Sequence, residues 1–152
     1  MEICYLSKEF YEKYKNCKEI LNKEDRPYSV LIVESCGKKF AIPFRSHVNQ
    51  NNKDCYITDE KIRAGLDFQK SVILNEELFV DKTKRPEIRN IDYQAIHFKD
   101  EEILKAFEKY LSYYRKEILR NQRNPNIRLN ARVQFSSLQY FHKELNLLKP
   151  IL

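Results

Sequence analysis

The sequence predicts an α+β protein in which an antiparallel sheet or small barrel is followed by helices. Short runs rich in β-branched and aromatic residues fill the first part of the chain, and a long amphipathic helical pattern begins only at Asp100. Strands followed by a separate group of helices are typical of this fold class. The 152 residues include 2 glycines and 5 prolines and show no linker-like stretch or repeat. We therefore expect one domain over residues 1–152, with a substantial core.

The first predicted elements are a strand, a helix and a hairpin. Residues 3–6 are mostly apolar and predict a short strand, after which Ser7 has the chemistry of a helix N-cap. Apolar residues then recur at helical spacing, which predicts a helix over residues 8–21. Two β-branched runs, residues 29–34 and 39–44, flank a Cys-Gly pair and predict a hairpin.

The middle of the chain is predicted to return to the sheet. Residues 45–55 are polar and aperiodic, so we expect a surface loop that leaves the second hairpin strand. Strand-like runs follow at residues 55–58 and 69–74, and a less regular one spans residues 87–98. His97 lies in this last run, and we expect it to pack in the core.

Helices are predicted for the C-terminal part. Apolar residues recur at helical steps over residues 100–119, which indicates an amphipathic helix. Residues 120–132 are basic and rich in asparagine, so we expect an exposed loop. Ser136 is then expected to cap a last helix that ends near Leu145.

Composition and charge narrow the function classes. The chain carries 28 basic and 22 acidic residues, a formal charge of +6 that favours a polyanionic partner. Its apolar runs are too short to span a bilayer and its start lacks the features of a secretory signal, so we expect a cytoplasmic protein with no membrane partner. The isolated cysteines favour buried free thiols over a zinc or redox motif: Cys4, Cys17, Cys36 and Cys55.

The densest group of chemically capable side chains follows the hairpin, at Arg45, Ser46 and His47. RNA cleavage without a metal needs a base for the 2′-hydroxyl, an acid for the leaving 5′-oxygen, and donors or cations for the phosphate oxygens. His47 is our acid–base candidate, Ser46 would orient the phosphate, and Arg26 and Arg45 would stabilise charge. The alternative is that Arg45, Ser46 and His47 only solvate a loop.

Other enzyme classes lack their sequence marks. The chain has no H-E-x-x-H, no paired-cysteine site, no P-loop and no G-x-G-x-x-G, so we expect neither a metal nor a cofactor. A second candidate surface is the basic C-terminal stretch, which suits phosphate contacts, although a solvated charged face is the alternative. Its candidate RNA-binding residues are Arg115, Lys116, Arg120, Arg123, Arg128 and Arg132.

Four segments in order resemble type III toxin-antitoxin toxins, closest to the CptN and TenpN branches of the ToxN/AbiQ family. They are Arg26-Pro27-Tyr28, VLIVESCGKKFAIPFRSH, GLDFQKSVIL and SSLQYFHKEL, and the resemblance covers essentially the whole chain. It implies a compact barrel related to the Kid and MazF toxins with added helices. It also implies a metal-independent, sequence-specific endoribonuclease that cuts cellular mRNA and leaves 2′,3′-cyclic phosphate ends.

The resemblance implies an RNA partner as well. This antitoxin would be a small structured repeat RNA of the pseudoknot type, which the toxin itself processes and with which it closes into a cyclic protein–RNA assembly. Phage defence is implied by some members of the family and plasmid or chromosomal maintenance by others.

Carried onto this sequence, the family's active-site serine falls on Ser46, and its preceding threonine is replaced by Arg45. The lysine that the better-known branch has two residues later is Val48 here, so Lys53 becomes a possible substitute. The resemblance also places further residues among the RNA-binding candidates: Tyr28, Lys70, Ser136, Ser137, Tyr140 and His142.

Two other functions use the same features. A non-catalytic RNA-binding module would employ the basic and aromatic surface without needing His47. A DNA-directed protein is a further alternative, but the sequence shows neither a helix-turn-helix nor a metal-binding carboxylate cluster, and we expect no DNA partner.

Overall fold

A computed structural model of the protein describes residues 1–22 and 28–148 and confirms the α+β class. The strands are β1 (Glu2–Leu6), β2 (Ser29–Ser35), β3 (Lys38–Arg45), β4 (Cys55–Asp59), β5 (Ala64–Asp67), β6 (Val72–Ile73) and β7 (Val80–Asp81). The α-helices are α1 (Lys8–Lys13), α2 (Asn90–Ile96), α3 (Asp100–Arg123) and α4 (Ala131–Gln134), and 3-10 turns occupy Phe68–Lys70, Glu77–Phe79 and Ser137–Phe141.

The strands form one antiparallel seven-stranded sheet in the order β4-β5-β3-β2-β1-β7, with β6 paired to β3. β3 organises it: one edge pairs with β2 along its length, while the other pairs first with β6 and then with β5. The end strands β4 and β7 do not pair, so the strands of residues 1–22 and 28–148 do not close into a barrel. The predicted barrel-like core therefore stays a prediction.

The core lies between the sheet and the helices. Phe107 of α3 packs edge-on against Phe40 of β3 and against Phe68, with ring centroids 5.1 and 5.5 Å apart. Phe10 of α1 packs in the same way on Phe79 at 5.6 Å. Large aromatic rings bury much apolar surface each, so these contacts join the N-terminal helix, the sheet and α3 into one hydrophobic cluster.

The predicted hairpin is confirmed, but two neighbouring predictions are wrong. The helix expected over residues 8–21 ends at Lys13, and three-residue turns continue from there, with Cys17 N bonded to Tyr14 O and Ile20 N to Cys17 O. These turns keep the same apolar spacing facing the core. The strand expected over residues 69–74 is instead the 3-10 turn Phe68–Lys70 followed by the two-residue β6, because the Asp67 side chain caps the Gln69 N–H.

The strand expected over residues 87–98 is wrong, because most of this range, Asn90–Ile96, forms helix α2. Asp92 and Ile96, four residues apart, face inward, and Arg89 pairs with Asp92 across the first turn. His97 is exposed after this helix and stacks on Tyr93, so the expectation that it packs in the core is wrong.

The long C-terminal helix is confirmed and extends to Arg123, so the start of the loop expected over residues 120–132 is helical. Ser136 caps the last element as expected, with its hydroxyl accepting from Leu138 N. That element is a 3-10 turn over Ser137–Phe141, shorter than the helix predicted to reach Leu145.

The four cysteines are free thiols as expected, but they are not all buried. Cys4 is buried, Cys17 and Cys55 are half-buried, and Cys36 is exposed on the hairpin turn. Burial raises the pKa of the Cys4 thiol to about 12.

In the described part of the chain, none of the helices combines the length and apolar character needed to span a membrane.

Candidate functional site

A cleft of about 620 Å³ opens where β3 ends. Its lining includes Arg45, Ser46 and His47 and, from a part of the chain distant in sequence, residues 87–89 and Asp92 in the first turn of α2. Two partly buried aromatic residues of the sheet region, Tyr28 and Phe44, also line it. The structure thus brings three of the four predicted catalytic residues into one concave site; the fourth, Arg26, lies outside the described residues.

Ser46 and His47 are adjacent and exposed at the mouth of this cleft. The His47 Nδ1 atom lies 3.3 Å from the Ser46 hydroxyl oxygen. The following residue, Val48, is buried, and its N–H donates to Arg63 O at 2.8 Å. The backbone is therefore anchored directly after the histidine, while the imidazole remains accessible to a substrate.

Arg45 is held by a buried carboxylate. Its Nη1 atom donates to Asp67 Oδ2 at 2.9 Å, and the Asp67 side chain is 2% exposed while that of Arg45 is 34% exposed. Asp67 Oδ1 also accepts from Asn52 Nδ2 and from Gln69 N. A guanidinium has five N–H donors, so Arg45 can keep this bond and still present donors to an anion in the cleft.

Arg89, which the sequence argument missed, is a second arginine of the cleft. Its guanidinium donates to both oxygens of Asp92 at 2.9 and 3.0 Å, and to Asp59 Oδ2 at 3.1 Å. Asp92 is further fixed by the Thr58 hydroxyl at 2.5 Å. The signal in the sequence that points to Arg89 is the basic run of residues 82–89.

Glu87 is a second acid–base group at the cleft that the sequence argument missed. Its backbone is fixed, because its N–H donates to the Tyr5 hydroxyl at 2.9 Å and its carbonyl accepts from the Ser29 hydroxyl at 2.6 Å. Glu87 is exposed and lines the same cleft as His47, so it is a candidate to supply a carboxylate there.

Tyr28 lines the cleft, as the RNA-binding prediction requires, but its hydroxyl donates to Leu21 O at 2.8 Å. Burial, with the neighbouring Tyr11, raises the pKa of the Tyr28 hydroxyl well above its ordinary value. Tyr28 is therefore a neutral hydroxyl at neutral pH, able to donate hydrogen bonds but not to act as a base.

Lys53 and Lys70, two of the predicted RNA-binding lysines, do not line this cleft. Lys53 is exposed in the loop before β4 and does not line it. Lys70 is turned inward, with Nζ bound to Glu19 Oε2 at 3.0 Å and to Phe135 O at 2.9 Å. Lys70 therefore fastens the region after β5 to the segments around Glu19 and Phe135, a structural role.

The six predicted basic residues of the C-terminal surface are all exposed, but three of them also bind neighbouring groups. Lys116, Arg123 and Arg128 are exposed. Arg115 donates to Leu145 O and Arg120 to Glu117. Arg132 makes a two-bond pair with the buried Asp54 at 2.7 and 3.0 Å, and its guanidinium lies 3.7 Å from the centroid of the Tyr113 ring. Lys116, Arg123 and Arg128 are therefore the residues best placed for phosphate contacts.

The last predicted group is built into the interior. Ser136 and Ser137 are fully buried, and the Ser137 hydroxyl donates to the carbonyls of Gln69 and Ser71. The Tyr140 hydroxyl accepts from Glu19 N. His142 is half-buried with Nε2 2.7 Å from the Tyr114 hydroxyl, and it does not line the cleft. In this conformation the group packs the C-terminal segment and does not form an RNA-facing surface.

Residues 1–22 and 28–148 contain no cluster of three or more His, Cys, Asp or Glu side chains placed to hold a metal ion. Comparison of the chain with protein-family models, with curated proteins and with solved structures finds no match.

Proposed function

We propose that the protein is a metal-independent endoribonuclease and, as the sequence resemblance implies, the toxin of a type III toxin-antitoxin system that acts in the cytoplasm. The observation that carries this proposal is the shared cleft of His47, Ser46 and Arg45 with Glu87 and Arg89. It combines two acid–base groups with two arginines, which is the set that phosphodiester transesterification needs. The proposal includes a sheet related to the Kid and MazF barrels.

The proposed reaction uses the substrate's own nucleophile. The 2′-hydroxyl attacks the adjacent phosphorus, the new O2′–P bond forms, and the P–O5′ bond breaks. One proton leaves the 2′-hydroxyl for a base and another reaches the 5′-oxygen from an acid, which yields a 2′,3′-cyclic phosphate and a free 5′-hydroxyl. His47 and Glu87 divide these two transfers in the proposed reaction, since both are exposed residues that line the cleft.

The arginines stabilise the charge that builds on the phosphate oxygens. Arg45 and Arg89 are each positioned by buried carboxylates before substrate arrives, so little reorganisation is needed during the reaction. The Ser46 hydroxyl, next to His47, donates to the same phosphate. In this proposal, the exposed cations Lys116, Arg123 and Arg128 contact the phosphates of a structured repeat RNA antitoxin.

The test is cleavage of total RNA in EDTA by the purified protein without antitoxin, with the new ends mapped chemically. The wild type should produce cyclic-phosphate ends, and His47→Ala should reduce their rate at least about a hundredfold. His97→Ala is the matched control, because His97 is exposed and does not line the cleft.

Each alternative function has its own outcome in that assay. A folded wild type that binds RNA but leaves it intact would indicate a non-catalytic RNA-binding module. Cleavage of DNA, or activity abolished by EDTA, would contradict the proposed reaction.

A further inference from the structure

A second depression, of about 760 Å³, shares His47 with the cleft. Its walls are the loop after β3, residues 48–51, and the turn between β4 and β5, residues 60–63. His47 lines both cavities. An RNA strand whose scissile phosphate lies at His47 therefore has a neighbouring nucleotide within reach of this depression.

The two walls are fastened to each other by one arginine. The Arg63 guanidinium donates to Asn49 O at 3.3 Å and to Asn52 O at 2.8 Å, while Arg63 O accepts from Val48 N at 2.8 Å. Arg63 also has a φ of 52°, a left-handed conformation that costs a non-glycine residue roughly 1 kcal/mol. Strained positions that persist often serve a functional site.

The chemistry of the lining suits hydrogen bonding to a base. Gln50 and Asn51 present exposed side-chain amides, each with a donor and an acceptor group. The other wall adds an exposed cation at Lys61, beside the exposed carboxylate of Glu60. The residues lining the depression include no phenylalanine, tyrosine or tryptophan, and the one ring among them is the His47 imidazole, which the proposed reaction uses. A base would therefore be recognised here mainly by its polar edge.

We propose that this depression is a base-recognition subsite, in which Gln50 and Asn51 hydrogen-bond the edge of one unpaired nucleobase next to the scissile phosphate, while Lys61 contacts its phosphate. This inference rests on the proposed ribonuclease function and adds the origin of its sequence preference. The fastened loop supports it, because amides held on a rigid backbone discriminate between bases better than mobile ones.

The experiment is cleavage of a randomised single-stranded RNA pool, with sequencing of the cut sites, by the wild type and by a Gln50→Ala/Asn51→Ala variant. At one position next to the cut, the variant should lose about tenfold of the wild-type preference, as expected for lost base-edge hydrogen bonds. The cuts that the variant still makes should carry 2′,3′-cyclic phosphate ends. Gln94→Ala, an exposed glutamine on α2 outside both cavities, should keep the wild-type profile.

The two proposals fail in different ways. A wild type that cleaves RNA with no preference beside the cut, or a variant whose profile is unchanged, overturns the subsite and leaves the ribonuclease function standing. A wild type that cleaves nothing overturns both.

Discussion

Arg45 and Asp67 form the ion pair that links the cleft to the interior, with Nη1 and Oδ2 2.9 Å apart. The pair continues into a network, because Asn52 donates to Asp67 through its amide and accepts from Asp54 N at 2.8 Å. Asp54 in turn holds Arg132. Two arginines for which the sequence suggested separate roles are thus anchored by neighbouring buried carboxylates.

Asp67→Asn should lower the free energy of unfolding by about 2–3 kcal/mol, since it removes the carboxylate partner of Arg45 and leaves buried donors poorly paired. Urea denaturation measures this. The variant should also slow RNA cleavage, because Arg45 is no longer positioned. Asp54→Asn is the matched control: it breaks the equivalent pair with Arg132, so it should cost similar stability without slowing cleavage. Equal losses of cleavage in both variants would contradict the positioning role.

Arg89→Lys should slow RNA cleavage about a hundredfold, which is the typical effect of losing one oriented donor at a reacting centre. Lysine keeps a positive charge beside Asp92 and Asp59, so the fold should survive, but it lacks the guanidinium fork that engages both carboxylates. The comparison is Arg85→Lys, an exposed residue outside the cleft, in the same single-turnover assay. Wild-type rates in Arg89→Lys would remove this residue from the proposed mechanism.

Gly65→Ala should destabilise the fold by about 3 kcal/mol, because a methyl group there would be forced into the facing strand. A Cβ at Gly65 would lie 2.3 Å from Tyr56 O and 2.9 Å from Ile57 Cα, both backbone atoms of β4. Gly37→Ala is the comparison: its Cβ meets open space, and only the left-handed φ of 72° opposes it, at about 1 kcal/mol. Equal urea midpoints for the two variants would contradict this difference.

His142 should make stability fall in mildly acidic solution. Burial lowers the pKa of His142 below its usual 6.5, and burial raises the pKa of Tyr114, so the hydrogen bond between the Tyr114 hydroxyl and Nε2 joins two neutral groups at neutral pH. The unfolded chain takes up the proton more readily, so this contribution is complete above about pH 6.5 and is lost as the pH falls through the folded pKa.

The measurement is the urea midpoint between pH 7.5 and 5, with the wild type compared with His142→Gln and His97→Gln. The first variant should flatten the slope and the second, at an exposed site, should not. An unchanged slope in His142→Gln would show that other groups cause the acid sensitivity.

Local patterns in the sequence were enough to identify the hairpin β2–β3, helix α3 and the Ser136 cap. Each depends on residues close in the chain: the β-branched runs of the hairpin, the helical periodicity of apolar residues in α3, and a serine hydroxyl that accepts a hydrogen bond from an N–H two residues later. They also placed Arg45, Ser46 and His47 together at the end of β3, because consecutive residues leaving a strand share its end.

The partners of those residues were decided by tertiary structure. Asp67 reaches Arg45 only because β5 pairs with β3, and β5 is a four-residue strand whose glycine gives no strand signal. Glu87 and Arg89 line the cleft because they precede helix α2. The isoleucines of residues 87–98 favour a strand, so local propensity did not predict this helix. Such contacts between distant residues depend on how elements pack, and local propensity carries no information about that packing.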